Sequence, residues 1–323
     1  MYGKKVLITG AAGFIGSWLA RELVHRGSEV IGLDNLSTGQ INNLDDVLRA
    51  MRFVEGDLRE TRLVAELCRG VDVVFHQGAL ASVASSVVDP LLSHQSNVEG
   101  TLSLLLAARQ EGVRRVVYAA SSSAYGDSEI SPKHEAMPTA PISPYAVQKL
   151  AGEHYMQSFA AVYGMETVCL RYFNVFGPFQ SADSPYSGVL AQFITNILAG
   201  EPVVIYGDGK QSRDFTFIEN IVQANLLAST APAKVVNGEV YNVACGHGHS
   251  LLETHQSLCT LMGRPIPVVY RPERRGDIRH SVADIRRAQR DLGYHVSVDF
   301  TEGLRRTVLW HESHYRKEPK RLV

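Results

Sequence analysis

Two spacings in this 323-residue chain could do chemistry. Tyr145 and Lys149 stand four apart, just behind Pro144, which is placed to open a helix. Residues four apart on a helix share one face. A lysine ammonium beside a phenol can stabilise the phenolate and draw its pKa toward neutrality, giving a group that takes and returns a proton. The second spacing is Gly10, Gly13 and Gly16, between an apolar run and an amphipathic one. Gly10 permits a tight turn, Gly13 lets backbone approach a pyrophosphate on a helix N-terminus, and Gly16 lets that helix pack close to a sheet. Asp34 follows 24 residues after Gly10. A carboxylate there could hold the adenosine ribose hydroxyls and would repel a 2′-phosphate, so the pattern predicts NAD rather than NADP.

Such groups need a rigid frame, and the first half of the chain supplies its pattern. Short apolar runs at Lys4–Thr9, Glu29–Leu33, Met51–Glu55, Val71–His76 and Val113–Ala120 have the length of buried strands. Helical stretches at Phe14–His25, Thr61–Arg69 and Asn97–Gln110 separate them. This βαβ alternation predicts an α/β fold with a Rossmann-like, doubly wound parallel sheet. After about residue 175 the loops grow richer in Gly, Pro and Arg, and residues 180–187 form a polar loop. Shorter strands follow at Pro202–Tyr206, Glu239–Val243 and Pro265–Val269. The expectation is a dinucleotide domain over residues 1–175, rejoined by about residues 213–235, and a smaller mixed α/β domain over 176–323.

Composition sets bounds on partners. Thirty-two Lys plus Arg nearly balance thirty-three Asp plus Glu, for a net charge of −1. That gives no electrostatic case for nucleic acid or a membrane surface. The apolar runs are too short to span a bilayer, and Met1–Lys5 lacks the features of a signal peptide. The four cysteines form no CxxC pair and read as reduced thiols of a cytoplasmic protein. The pairs His311/His314 and His247/His249 lack the spacing or partners of a metal site. They read as a solvated helix face and a polar loop, and no metal is expected.

The glycine spacing and the Tyr-x-x-x-Lys pattern together resemble the short-chain dehydrogenase/reductase superfamily. The likeness to its extended branch, the sugar-nucleotide epimerases, runs over nearly the whole chain. That resemblance implies a catalytic trio of Ser121, Tyr145 and Lys149, with Ser121 four residues before Tyr125 and Gly126. It implies that NAD meets Gly10, Gly13, Phe14, Ile15, Gly16, Asp34, Asn35, Asp57, Leu58, Gln77, Gly78, Ala79, Asn97 and Tyr172 as well as Tyr145 and Lys149. A UDP-sugar would meet Ser82, Ser122, Ser123, Asn174, Gly188, Val189, Val204, Tyr206, Arg213, Arg274, Asp277 and Ser281. Among these, Tyr206 would stack on uracil and Arg213 and Arg274 would bind the pyrophosphate. Arginine suits that task because its planar fork donates several hydrogen bonds at once.

The resemblance also separates reactions. Dehydratases of this type carry Asp-Glu after the catalytic residue, where this chain has Ser122 and Ser123, which cannot do that acid–base work near neutral pH. A non-catalytic NAD-binding regulator, the alternative of a different class, usually lacks the Tyr or the Lys, and both Tyr145 and Lys149 are present. The implied activity is 4-epimerisation of a UDP-hexose by an NAD-dependent isomerase, with UDP-N-acetylglucosamine 4-epimerases as the nearest subgroup. An enzyme restricted to UDP-glucose and a UDP-glucuronate epimerase are the alternatives. In relatives restricted to plain hexoses a Tyr stands where this chain has Ser281. The resemblance implies a homodimer through a face including Asn97–Gln110 and Tyr145–Tyr163.

Overall fold

In the computed structural model, residues 1–180, 188–273 and 278–315 are described. Seven strands form one sheet: β1 (Lys5–Thr9), β2 (Glu29–Asp34), β3 (Arg52–Glu55), β4 (Val73–His76), β5 (Arg115–Ser121), β6 (Glu166–Tyr172) and β7 (Glu239–Val243). Their order is β7-β6-β5-β4-β1-β2-β3, and every pairing is parallel. The sheet is an α/β, Rossmann-like one, as the alternation predicts. The order in which strands are added reverses between β1 and β4, and a crevice at such a switch point is where open α/β sheets bind ligands. Burial on both faces explains the nearly continuous apolar strands: β4 is buried throughout and β5 from Arg115 to Ala120.

Four helices position the chemistry: α1 (Phe14–His25), α2 (Thr61–Cys68), α3 (Gly100–Gln110) and α4 (Pro144–Tyr163). Helix α4 starts as its sequence dictates. The Ser143 hydroxyl accepts the Ala146 amide at 3.2 Å, Pro144 takes the first position, and Gly164 ends the helix at φ 67°. Helix α3 begins later than the sequence suggested, because Gln95–Glu99 winds as a π turn with Asn97 inside it. Such turns re-aim side chains and gather at functional sites.

Glu239–Val243 is not a strand of a separate small domain. It follows the crossover helix Ile218–Thr230 and pairs with β6, Tyr241 opposite Leu170, as the edge of the main sheet. The remaining strands form small sheets. Ser212–Arg213 lies between His249–Ser250 and His280–Ser281, and Val203–Tyr206 pairs with Val268–Arg271. The C-terminal helix Phe300–Tyr315 also departs from expectation: His311 is buried against Trp310 rather than solvated, while His314 is exposed. His249 stacks on Phe300 at 4.1 Å, so it too is more than a polar loop residue. No helix among the described residues is long and apolar enough to cross a membrane.

Candidate active site

The glycine turn shows why no side chain is tolerated there. Gly10 has φ +68°, and a Cβ on it would lie 2.8 Å from the Gly78 backbone. A Cβ on Gly16 would lie 2.0 Å from the Gly10 carbonyl oxygen, so Gly16 packs on the turn itself. Gly13 is the N-cap of α1 and supplies no side-chain cap. The first-turn amides of Phe14, Ile15 and Gly16 therefore keep no intrahelical acceptor, and the helix N-terminus is suited to an anion. Asp34 ends β2, and its carboxylate accepts the Ala12 and Leu36 amides at 2.9 Å each. Burial pushes that carboxyl up against the pull of those bonds. A Cβ on Gly39 would sit 2.9 Å from both carboxylate oxygens, so glycine there leaves them reachable. Asn35 donates to Asp57 at 2.8 Å, and the Arg59 guanidinium holds Asp57 well below the usual carboxylate range.

A polar network lies at the carboxyl ends of β1, β4 and β6. Tyr172 accepts from the Asn225 amide at 2.8 Å, which leaves its one proton for Gln77 at 3.3 Å; sequence reasoning missed Asn225. Asn225 is fully buried on its helix together with Asn220 and Ser229, so no single polar residue stood out in the sequence. Gly78 donates its amide to Thr9, whose hydroxyl also meets His76 at 2.7 Å. Asn97 is fully committed inside the protein: it accepts the Leu80 amide at 2.8 Å and donates to Gln148 at 2.9 Å. It thus fixes the stretch after β4, including Ala79, to helix α4.

Tyr145, Lys149 and Ser121 come together where β5 meets α4. The Ser121 hydroxyl accepts from the Ser123 hydroxyl at 2.8 Å, and Ser121 is the neighbour that pulls the Tyr145 phenol down. Lys149 is buried; its ammonium donates to the Ala119 carbonyl at 2.8 Å and lies 4.9 Å from the centre of the Tyr118 ring. Burial lowers the Lys149 pKa to about 8. The expected lowering of the tyrosine pKa toward neutrality is not what the protein's groups produce. Burial raises the Tyr145 phenol, and the Ser121 hydrogen bond is what opposes it.

In the small three-stranded sheet, Arg213 is paired across strands with Ser281 and with His249. Its guanidinium donates to the Ser212 carbonyl at 2.9 Å. Ser281 is buried. Asn174 is exposed and has φ 20°, a strained value for a residue with a side chain. Val204 and Tyr206 alternate on one strand and so share a face. Ser82 caps the short helix Val83–Val88, whose Ser86 accepts the Tyr145 amide at 3.0 Å. Gly188 is exposed before helix Val189–Ala199. Leu58 packs against Gly78 and Gly100. Ser122 and Ser123 begin the turn after β5. Arg274, Asp277 and residues 181–187 lie outside the described residues. Among the described residues no cluster of His, Cys, Asp and Glu could hold a metal.

The model of the NAD dependent epimerase/dehydratase family matches residues 6–244. The chain belongs to that family. A UDP-glucose 4-epimerase of Mycolicibacterium smegmatis is 38% identical over 308 residues, which is 94% of this chain and 97% of that protein. The solved UDP-N-acetylglucosamine 4-epimerase of Methanobrevibacter ruminantium, in complex with UDP-N-acetylmuramic acid, superposes with a TM-score of 0.93. It is 39% identical, over 97% of this chain and 100% of that one. The UDP-glucose 4-epimerase of Thermus thermophilus, solved with NAD, gives a TM-score of 0.87 at 37% identity, over 95% and 99% of the two chains. The protein is thus an NAD-dependent enzyme of the epimerase type. The cofactor fits the residues present: an uncapped helix N-terminus, a turn that excludes side chains, and a reachable carboxylate at the end of β2.

Proposed function

We propose that this enzyme is a UDP-hexose 4-epimerase that interconverts UDP-N-acetylglucosamine with UDP-N-acetylgalactosamine, and UDP-glucose with UDP-galactose. Bound NAD would accept a hydride from sugar C4 and return it to the opposite face. Asp34 would hold its adenosine ribose, the α1 N-terminus its pyrophosphate, and Lys149 its nicotinamide ribose. Tyr145 takes the proton of the sugar 4-hydroxyl and later gives it back, with Ser121 orienting the oxygen. Arg213, with Arg274, grips the diphosphate while the 4-keto sugar turns over. The net redox change is zero, so the cofactor stays bound between turnovers.

The observation that carries the substrate range is Ser281. It is buried and paired with Arg213 in the small sheet, at the position where the family resemblance implies a Tyr in enzymes restricted to plain hexoses. A serine leaves the space that a 2-acetamido group needs when the keto sugar turns. The smaller sugar is still accepted, because unfilled space costs only modest affinity. Ser281→Tyr should abolish turnover of UDP-N-acetylglucosamine and leave UDP-glucose turnover largely intact. Equal loss of both, or of neither, removes Ser281 from this role. We further infer a homodimer. Leu106 on α3 and Val147, Val162 and Tyr163 on α4 expose an apolar face that suits a second copy, and light scattering of the purified protein tests it.

A further inference from the structure

Asp214 is fully buried, yet no Lys, Arg or His pairs with its carboxylate in an ion pair among the described residues. The other deeply buried acid, Glu153, differs: Arg171 meets it through two bonds of 2.5 and 2.9 Å. A buried carboxylate without a cation is expensive to keep. Burial raises the Asp214 pKa to about 7, against four backbone bonds that pull it down. Its partners explain what it holds. One oxygen accepts the Cys245 amide at 2.9 Å; the other accepts Gly246 at 2.9 Å and Ala283 at 3.2 Å. The His247 amide also pulls the carboxyl down. Its own amide donates to the Ser281 carbonyl at 2.7 Å. One residue therefore ties three segments together: the strand carrying Arg213, the loop leaving β7, and the strand carrying Ser281.

We propose that Asp214 is the positioning residue of the substrate site, holding Arg213 and Ser281 in the register that grips the diphosphate of the UDP-sugar. This rests on the assignment of Arg213 to that diphosphate. Asp214 touches no reacting atom; it acts through the backbone on either side of the pocket. An amide of the same shape cannot replace it, because its NH₂ would face a backbone N–H whichever way it turned. At least one buried donor would then lose its acceptor, and the segments would separate.

The experiment compares holoenzymes carrying Asp214→Asn or Arg213→Ala with the wild type, reading KM for UDP-glucose, kcat and retained NAD. Asp214→Asn should raise KM on the order of tenfold, the scale of one lost buried hydrogen bond. Its kcat should stay within about threefold and its NAD content should match the wild type, since the glycine turn lies on the other side of the sheet order. A lower melting temperature with unchanged KM would mark Asp214 as merely structural and overturn the inference, provided Arg213→Ala raises KM. If Arg213→Ala leaves KM unchanged, the diphosphate assignment falls and the inference falls with it. Should the Asn variant yield no soluble holoenzyme, the wild type decides. Amide exchange at Cys245, Gly246 and Ala283 should slow when UDP is added, and unchanged rates would overturn the proposal.

Discussion

Replacing Tyr145 by Phe removes one oxygen and leaves the ring in place. The structure separates the two costs this could carry. The stability cost is small, because Ser121 is only half-buried, so water can take its hydroxyl proton when the phenol oxygen is lost, and it still accepts from Ser123 at 2.8 and 3.2 Å. With no buried polar group orphaned, the fold should lose under about 1 kcal/mol. The chemical cost is large if Tyr145 is the proton carrier. A positioned acid–base group contributes roughly 10²–10⁴-fold, which is about 2.7–5.5 kcal/mol on the barrier. The assay is turnover of UDP-glucose to UDP-galactose by purified variant, beside urea unfolding and the NAD content of the same preparation. Expected are near-native unfolding, near-native NAD and activity down at least about a hundredfold. Turnover within a few-fold of wild type would refute the assignment. A large loss of activity matched by an equally large loss of stability would show a structural role instead.

Arg213→Ala should weaken UDP binding roughly 10- to 150-fold, the worth of charge-assisted hydrogen bonds at about 1.5–3 kcal/mol, as read by calorimetry. Stability should fall on acidification. Burial depresses His76 to about 3 and His311 to about 4, so the folded chain stays unprotonated at both while the unfolded chain binds protons below 6.5. Stability present above pH 6.5 is therefore lost as pH drops through that window, by about 2 kcal/mol per histidine at about pH 5. Urea unfolding at the two pH values checks this, and equal stability at both contradicts it.

Local rules made much of this molecule legible. The glycine turn, Asp34 and helix α1 are encoded within a few residues of each other, so one spacing specifies all three. Pro144 likewise announces the helix that brings Tyr145 and Lys149 to one face. Long-range pairing was not legible. Glu239–Val243 reads as another short strand, and only its pairing with β6 makes it the edge of the main sheet. His311 looks solvated in a polar stretch, but the helix turns that side inward beside Trp310. The same holds for Asn225 and Asp214, whose partners lie 53 residues away at Tyr172 and 31 at Cys245. The direction of the Tyr145 shift was missed for a related reason: burial is a property of the whole fold, and helical spacing does not announce it.

The proposed reaction is epimerisation of UDP-hexoses with a cofactor that stays bound throughout. Purified protein with no added NAD is incubated separately with UDP-N-acetylglucosamine, UDP-N-acetylgalactosamine, UDP-glucose and UDP-galactose, and the products are separated. Each sugar should yield its C4 epimer over many turnovers, with no accumulation of NADH. No epimer from any of the four, or product formed only in proportion to added NAD, would contradict it.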